Sequence, residues 1–291
     1  MKVVIFIVFI FISSLDGAFM NESYSSHIRG MGNVFTGVAN NIDGITINPS
    51  SIGGLDAITF KIEGNYPYFD KSEVTVLKLG IKGGMPLNMK VFNLGLGLWS
   101  NYFNILNTYA EMVMGLTGGI KWKNLKTGIS VKYLHLKYYF SDYLTQFFNK
   151  DSSGRLNIDW GADISFFKYF RSGISLINLI PTKIGIRDKE RLATMIKYGL
   201  SYMRKKLIIA GEVSSRFQQW KDFYKIEGWG FGIERKINNS IKFRMGINSN
   251  EVSIGSGYSF YIKNKLVVID YAFLYYYLSL TEHTLSIGFR I

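Results

Sequence analysis

The feature that most constrains this chain is an alternation of apolar and polar residues that recurs from about residue 56 to residue 291. Near the end of the chain, Leu285, Ile287 and Phe289 are each separated by one small or polar residue. Successive side chains of a β-strand point to opposite faces, so a period of two predicts strands. Runs of roughly ten such residues are typical of transmembrane β-barrels. The sequence therefore predicts an all-β protein, a transmembrane antiparallel β-barrel.

The alternating runs predict about fourteen strands, an even number of the kind that single-chain outer-membrane barrels have. The connections between the runs alternate between long and short, as they do in such barrels. Of the connections at the long-loop end, the one at 138–156 is especially long. The predicted strands are 56–63, 74–84, 90–99, 111–122, 126–137, 157–167, 171–178, 193–203, 207–214, 226–235, 241–248, 251–262, 266–276 and 280–291.

Residues 1–18 have the pattern of a secretory signal peptide. Lys2 precedes the apolar run Val3–Ile12, and the small residues Gly17 and Ala18 follow it. The apolar run is too short to cross a bilayer as a helix, although a retained membrane anchor is the alternative. We predict export, removal of the peptide near Gly17 or Ala18, and location in a bacterial outer membrane.

The composition fits a barrel with aromatic girdles, since aromatic residues make up 16% of the chain and charged residues only 19%. The absence of Cys excludes a disulfide framework and a thiolate metal site. The net charge of +13 does not indicate nucleic-acid binding, because the Lys and Arg residues are scattered through turns and strands. We expect outer-membrane lipid to be the partner of these charges.

Residues 19–55 interrupt the alternation and are rich in Gly, Asn and Ser. Wall side chains alone do not fill the lumen of so wide a barrel, so we predict that this segment is a luminal plug and that residues 56–291 form the barrel. The Asn48-Pro49 pair predicts a turn, and the spaced glycines are expected to supply mobility. The residues that we assign to plugging and gating are Arg29, Gly30, Met31, Gly32, Gly37, Asn48 and Pro49.

Charged residues on the predicted inner face carry both signs. Mixed signs favour salt bridges and hydrogen bonds across the lumen over an ion-selective pore. The run 266–276 differs, because Leu266, Ala272 and Leu274 share the inner face, and an apolar patch there suits either a packed plug or an apolar ligand. The predicted luminal polar residues are Asp159, Asp163, Glu234, Arg244 and Asp270.

Aromatic residues cluster in and around the predicted long connection at 138–156. One interpretation is an interfacial belt, in which amphipathic rings lie at the level of the lipid headgroups. The other is an external groove that captures an apolar ligand. The candidate ligand-capture residues are Tyr138, Tyr139, Phe140, Phe147 and Phe148.

The sequence shows no catalytic or metal-binding pattern around its three histidines. His27, His135 and His283 have no His, Cys or carboxylate neighbour at a metal-ligand spacing. No sequence pattern combines a nucleophile with a base and a group that orients it. We predict that the protein is not an enzyme and uses no cofactor or metal.

The N-terminal segment carries a family resemblance. Residues 26–41, SHIRGMGNVFTGVANN, and residues 47–52, INPSSI, resemble the opening of the PorV/PorQ group, which is related to the FadL-type transporters of hydrophobic compounds. In this chain Ser50, Ser51 and Ile52 replace the usual Ala-Gly-Leu. Later segments such as YGLSY at 198–202 and FRMG at 243–246 agree with the closing strands of the group. The resemblance implies a FadL-like barrel of about fourteen strands with an N-terminal hatch.

The same resemblance leaves two functions open. One is binding or import of a hydrophobic small molecule, of the fatty-acid or hydrocarbon type, through the plugged barrel. The other is a role in a protein secretion system, in which the barrel docks exported proteins at the outer membrane. A simple structural porin is the third hypothesis, and it predicts an open conductance.

Overall fold

The computed structural model describes residues 19, 23–68, 76–106, 108–139, 150–186, 189–217, 225–277 and 280–291. Fourteen strands form a closed antiparallel barrel, as the alternation predicts. The barrel closes between its first and last strands, where Thr59 pairs with Arg290. The barrel strands are β1 (Thr59–Tyr68), β2 (Val76–Asn88), β3 (Asn93–Ile105), β4 (Tyr109–Trp122), β5 (Leu125–Tyr138), β6 (Ser152–Phe166), β7 (Phe170–Ile177), β10 (Thr194–Arg204), β11 (Leu207–Phe217), β12 (Gly228–Lys236), β13 (Ile241–Asn248), β14 (Glu251–Ile262), β15 (Lys265–Tyr276) and β16 (Thr281–Arg290).

Several strands are longer than the alternation predicts. β3 and β4 continue as a pair to Ile105 and Tyr109, and β6 begins at Ser152 instead of 157. Backbone hydrogen bonds hold a hairpin together beyond the apolar band, and they need no alternation of side chains. The small hairpin of β8 (Lys183–Ile184) and β9 (Glu190–Arg191), between β7 and β10, was not predicted, because two residues carry no period.

The two faces of the barrel wall differ as the alternation requires. In β6, Asp159 and Asp163 are buried on the inner face, whereas Ile164 and Phe166 are exposed on the outer face. An exterior that displays large apolar side chains from many strands is suited to contact with lipid hydrocarbon. No helix within the described part of the chain is long and apolar enough to cross a membrane.

The N-terminal segment, defined here as residues 23–55, contains the short helix α1 (Ser26–Arg29) and two 3₁₀ helices, Ile42–Thr46 and Pro49–Gly54. The side chain of Asn41 caps the first 3₁₀ helix by accepting a hydrogen bond from the backbone nitrogen of Asp43. Asn48 caps the second in the same way, and Pro49 occupies its first position. The turn predicted at Asn48-Pro49 is therefore the start of a helical turn.

Two apolar clusters anchor this segment to the wall. In one, segment residues that include Ile28, Met31 and Phe35 pack with Ile208 and Ala210 of β11. In the other, Ile42, Ile45, Ile52 and Leu55 pack with Trp99 of β3. All of the segment residues in these clusters are buried.

Candidate functional site

The N-terminal segment follows the inner wall of the barrel, and its backbone meets glycines of successive strands. Gly30 lies against Gly255 of β14, and Pro49 lies against Gly128 of β5. Between these points the segment passes other strands in barrel order. The wall glycines that contact the segment are Gly84, Gly95, Gly97, Gly119, Gly128, Gly161, Gly173, Gly199, Gly230, Gly232, Gly246 and Gly255.

Two of the predicted gating glycines make close backbone contacts. A Cβ atom on Gly37 would lie 2.6 Å from the carbonyl oxygen of Gly199, and one on Gly32 would lie 2.8 Å from the backbone nitrogen of Ile247. Gly32 also has a φ of +66°, which L residues rarely adopt. Close approach and a left-handed turn thus account for these glycines. The mobility assigned to them stays a prediction.

Six charged or titratable side chains form a closed ring that joins the segment to the wall. His27 lies between two carboxylates, with Nδ1 2.9 Å from Asp43 and Nε2 3.0 Å from Glu234. The ring, hereafter the charge ring, consists of His27, Asp43, Lys61, Glu234, Arg244 and Asp270.

The other four contacts complete the charge ring. Arg244 binds Glu234 at 2.7 Å through Nε and Asp270 at 2.9 Å through Nη1. Lys61 Nζ lies 3.1 Å from Asp270 and 2.6 Å from Asp43. All six residues are at least 95% buried. The mixed charges of the lumen therefore pair, and two of the partners come from the N-terminal segment.

Asp43 lies close to several positively charged side chains. Burial acts to raise the pKa of its carboxyl, but Lys61 and His27 oppose burial and hold the pKa well below its usual range. Ser25 Oγ also donates a hydrogen bond of 2.6 Å to Asp43 Oδ1. Asp43 is thus an anion at neutral pH that fixes the first 3₁₀ helix to β1.

Arg29, a predicted gating residue, occupies a second ionic site. Its Nη2 lies 3.4 Å from Glu251 and 3.3 Å from Glu282, and it also donates to the hydroxyl of Tyr276. The side chain of Arg29 is fully buried. This site fixes α1 to β14, β15 and β16.

Asn48, Asp159 and Asp163, which were also predicted, lie on the opposite side of the lumen, toward β5 and β6. Asn48 Nδ2 donates to the carbonyl oxygens of Thr36 and Ala162, so it joins the segment to β6. Asp163 pairs with Lys126 at 3.0 Å, and Asp159 pairs with Lys132 at 2.8 Å. These aspartates are partners of wall lysines.

An apolar cluster lies in the part of the lumen nearest the long connection after β5. We call this packed cluster of side chains the apolar chamber. Its buried members include Leu134 and Leu136 from the inner face of β5, with Ile184 of β8 beside them. Partly buried Tyr109, Val113 and Tyr138 pack against these residues. The full set is Phe19, Tyr109, Val113, Leu134, Leu136, Tyr138, Ile184 and Leu192.

The predicted ligand-capture residues are only partly accounted for. Tyr138 is the last residue of β5 and not a loop residue, because it pairs with Tyr109 of β4. The rings of Tyr138 and Tyr109 are tilted by 55° to each other, with 4.9 Å between their centroids. The Nζ atom of Lys137 lies over the ring of Tyr139. Phe140, Phe147 and Phe148 lie outside the described residues.

A basic cavity opens near the short turns at the other end of the barrel. Its volume is about 180 Å³, and Lys121, Lys123, Lys126 and Arg171 line it. Asn40 and Gly54 of the N-terminal segment form its inner side. Lys126 is already engaged with Asp163 and with the carbonyl oxygen of Ala39. The cavity can attract an anion.

Sequence reasoning missed Leu134, Leu136, Glu251 and Glu282. The alternation places each of them on an inner face, because Leu134 and Leu136 are in phase with Lys132, Glu251 with Ser253 and Glu282 with Thr284. Alternation could not predict the positions of Ile184 and Leu192, since they lie outside the barrel strands. Among the described residues, no group of His, Asp and Glu could hold a metal ion.

The fold and the lumen define a closed fourteen-strand barrel with an N-terminal segment docked against its inner wall. The chain is similar in structure to the toluene transporter TbuX of Ralstonia pickettii, with a TM-score of 0.64 and 12% identity over 94% of this chain and 98% of that one. A Pseudomonas putida toluene transporter, TodX, matches with a TM-score of 0.60 and 10% identity over 93% and 98% of the two chains.

A FadL homologue of Pseudomonas aeruginosa matches with a TM-score of 0.57 and 9% identity, covering 88% of this chain and 95% of that one. No family model and no curated protein sequence matches the chain. At these identities the shared property is the fold, a barrel of the FadL type.

Proposed function

We propose that this protein is a bacterial outer-membrane barrel that binds hydrophobic small molecules in the apolar chamber and admits them through the lumen. The observation that carries the proposal is the group of buried apolar side chains on the inner face at Leu134, Leu136 and Ile184. The lumen of an aqueous barrel is polar, so an apolar inner surface beside a long connection favours an apolar ligand. The similar barrels named as transporters of toluene support the same class of ligand.

The basic cavity refines the proposed ligand. Lys121, Lys123 and Arg171 give a neutral hydrocarbon no electrostatic stabilisation, whereas a carboxylate can form charge-assisted hydrogen bonds with them. The apolar chamber and the basic cavity lie toward opposite ends of the lumen. We therefore propose that the preferred ligand is an apolar molecule with a carboxylate, such as a fatty acid.

Ligand binding to the purified barrel tests this proposal. We expect the wild-type protein in detergent to bind a radiolabelled long-chain fatty acid and the double variant Leu134→Asn, Leu136→Asn to bind it at least about tenfold more weakly, since two buried apolar contacts are lost. Lys137→Asn, at the next position of β5 on the outer face, is the matched control. Equal affinity in the double variant would refute the apolar chamber as the binding site. Tighter binding of toluene than of the fatty acid would refute the carboxylate preference.

The PorV/PorQ resemblance gives the alternative, a secretion role with an exported protein as partner. Native mass spectrometry of the detergent-extracted protein, with lipid analysis of what accompanies it, separates the two hypotheses. A stoichiometric apolar ligand favours transport. An empty barrel that carries a protein partner favours secretion.

A further inference from the structure

We propose that the mature chain begins at Phe19 and that the α-ammonium group of Phe19 is the counter-ion of Glu111. The starting observation is the contact between the backbone nitrogen of Phe19 and Oε2 of Glu111, at 2.9 Å. Glu111 lies on β4, within the lumen and beside the apolar chamber. The inference does not depend on whether the barrel transports a ligand.

Glu111 lies beside apolar side chains, where the carboxylate form is stabilised by a nearby cation. It is partly buried, and its other oxygen accepts a hydrogen bond from the hydroxyl of Tyr109. Among the residues that the structure describes, no Lys, Arg or His side chain forms an ion pair with Glu111. A carboxylate removed from water is costly unless a charge or several donors compensate it. A chain terminus at Phe19 supplies both.

The amide group of an uncleaved chain would stabilise the Glu111 carboxylate much less than an α-ammonium group. A backbone N–H donates one hydrogen bond and carries no net charge, whereas an α-ammonium group has three donors and a full positive charge. The side chain of Phe19 packs with Leu134, Leu136 and Ile184, and only 8% of the residue is exposed. These contacts hold the nitrogen at Glu111 in either form of the chain.

The backbone of Phe19 gives independent support. Its φ is +59°, a left-handed conformation that is sterically unfavourable for an aromatic residue inside a chain. This angle is defined by the carbonyl carbon of residue 18. Cleavage of the bond between Ala18 and Phe19 removes that carbon from Phe19, and with it the steric conflict.

The sequence before Phe19 fits such processing in part. Ala18 is the small residue that cleavage sites require at their last position, and Asp16 departs from the small residue expected two positions earlier. In the reaction, a membrane-bound signal peptidase adds water across the amide bond. The carboxylate product remains on Ala18 and the amino product, protonated, on Phe19.

The first experiment is N-terminal sequencing and intact-mass measurement of the protein isolated from outer membranes of cells that express the full chain. We expect a single chain whose first residue is Phe19. A mature chain that begins at any other residue, or one that retains residues 1–18, would overturn the proposal. We expect the variant Asp16→Ala, which supplies the missing small residue, to begin at the same position.

The second experiment measures modification of the α-amino group by an amine-reactive ester near neutral pH, with peptide mass spectrometry as the readout. In the folded wild-type barrel we expect at least about tenfold slower modification than in denatured protein, because the ion pair and burial protect the group. Glu111→Gln keeps the shape but not the charge, and it should restore most of the reactivity. Glu227→Gln, an exposed position, is the matched control. Equal rates in folded and denatured wild type would refute the ion pair, even where the glutamine variant fails to fold.

Discussion

The N-terminal segment is held by different forces on the two sides of the barrel. Toward β12–β16 and β1, ionic contacts of the charge ring and of Arg29 are added to the close backbone contacts at Gly246 and Gly255. Toward β3–β5, they are apolar and steric, with Ile52 and Leu55 packed beside Trp99 and the backbone of Pro49 against Gly128. The same chain segment therefore depends on two kinds of interaction that respond differently to substitution.

The difference teaches how the position of the segment is specified. A buried ion pair adds little net stability against an apolar replacement, but the loss of one partner leaves a charge in a low-dielectric site. Apolar and steric contacts depend on volume and have no such penalty. We therefore expect the ionic contacts to fix the register of the segment and the apolar contacts to fill the remaining space.

The largest effect is expected from Arg244→Met. This variant leaves Glu234 and Asp270 buried with fewer positive partners, which should lower the free energy of unfolding by about 3–5 kcal/mol. Urea unfolding of the purified barrel measures this loss of stability.

Arg290→Met is the matched control, because Arg290 pairs with Asp56 at 2.6 Å but both side chains are exposed. The control should lose about 1 kcal/mol or less. Similar losses in the two variants would contradict the ionic role of the interior.

An intermediate effect is expected from Gly128→Ala on the steric side. The new Cβ would meet the backbone of Pro49 and would lie 2.9 Å from the nitrogen of Ser50, so the segment must move. Overpacking of this kind costs about 1–3 kcal/mol. We expect faster proteolysis of the N-terminal segment together with reduced stability.

Gly118→Ala is the control for that substitution. Its Cβ would meet only Leu96, at 3.8 Å, in ordinary contact. If Gly118→Ala and Gly128→Ala accelerate proteolysis equally, the close approach of the segment to β5 has no structural role.

The smallest effect is expected at Asp43, whose ion pairs are lost only when the protein is acidified. Because the pKa of Asp43 in the folded protein lies below its ordinary value of 3.8, its ion pairs stabilise the fold fully above that value. The contribution is lost as the pH falls through the folded pKa. We expect proteolysis of the segment by an acid-active protease to increase below pH 3.8. Asp43→Asn should show a weaker pH dependence, and an unchanged profile would show that other carboxylates control the acid response.

Much of the candidate site was within reach of the sequence. The inner positions of Asp159, Asp163, Glu234, Arg244 and Asp270 follow from alternation, and all five are buried. Their partners did not follow, because Asp43 meets Lys61 only through the path of the segment inside the barrel. The apolar chamber was missed for a related reason. Ile184 and Leu192 come from the connection after β7, whose position no local pattern specifies.

The sequence by itself determined the class of fold, the strands and which face of each strand is polar. These properties are local, since the period of two follows from the backbone geometry of a single strand. Only the tertiary structure decided which charges form the charge ring, which glycines receive the N-terminal segment and where the chamber lies. Those contacts join residues far apart in the chain, such as Arg29 and Glu282, and closure of the barrel is what brings them together.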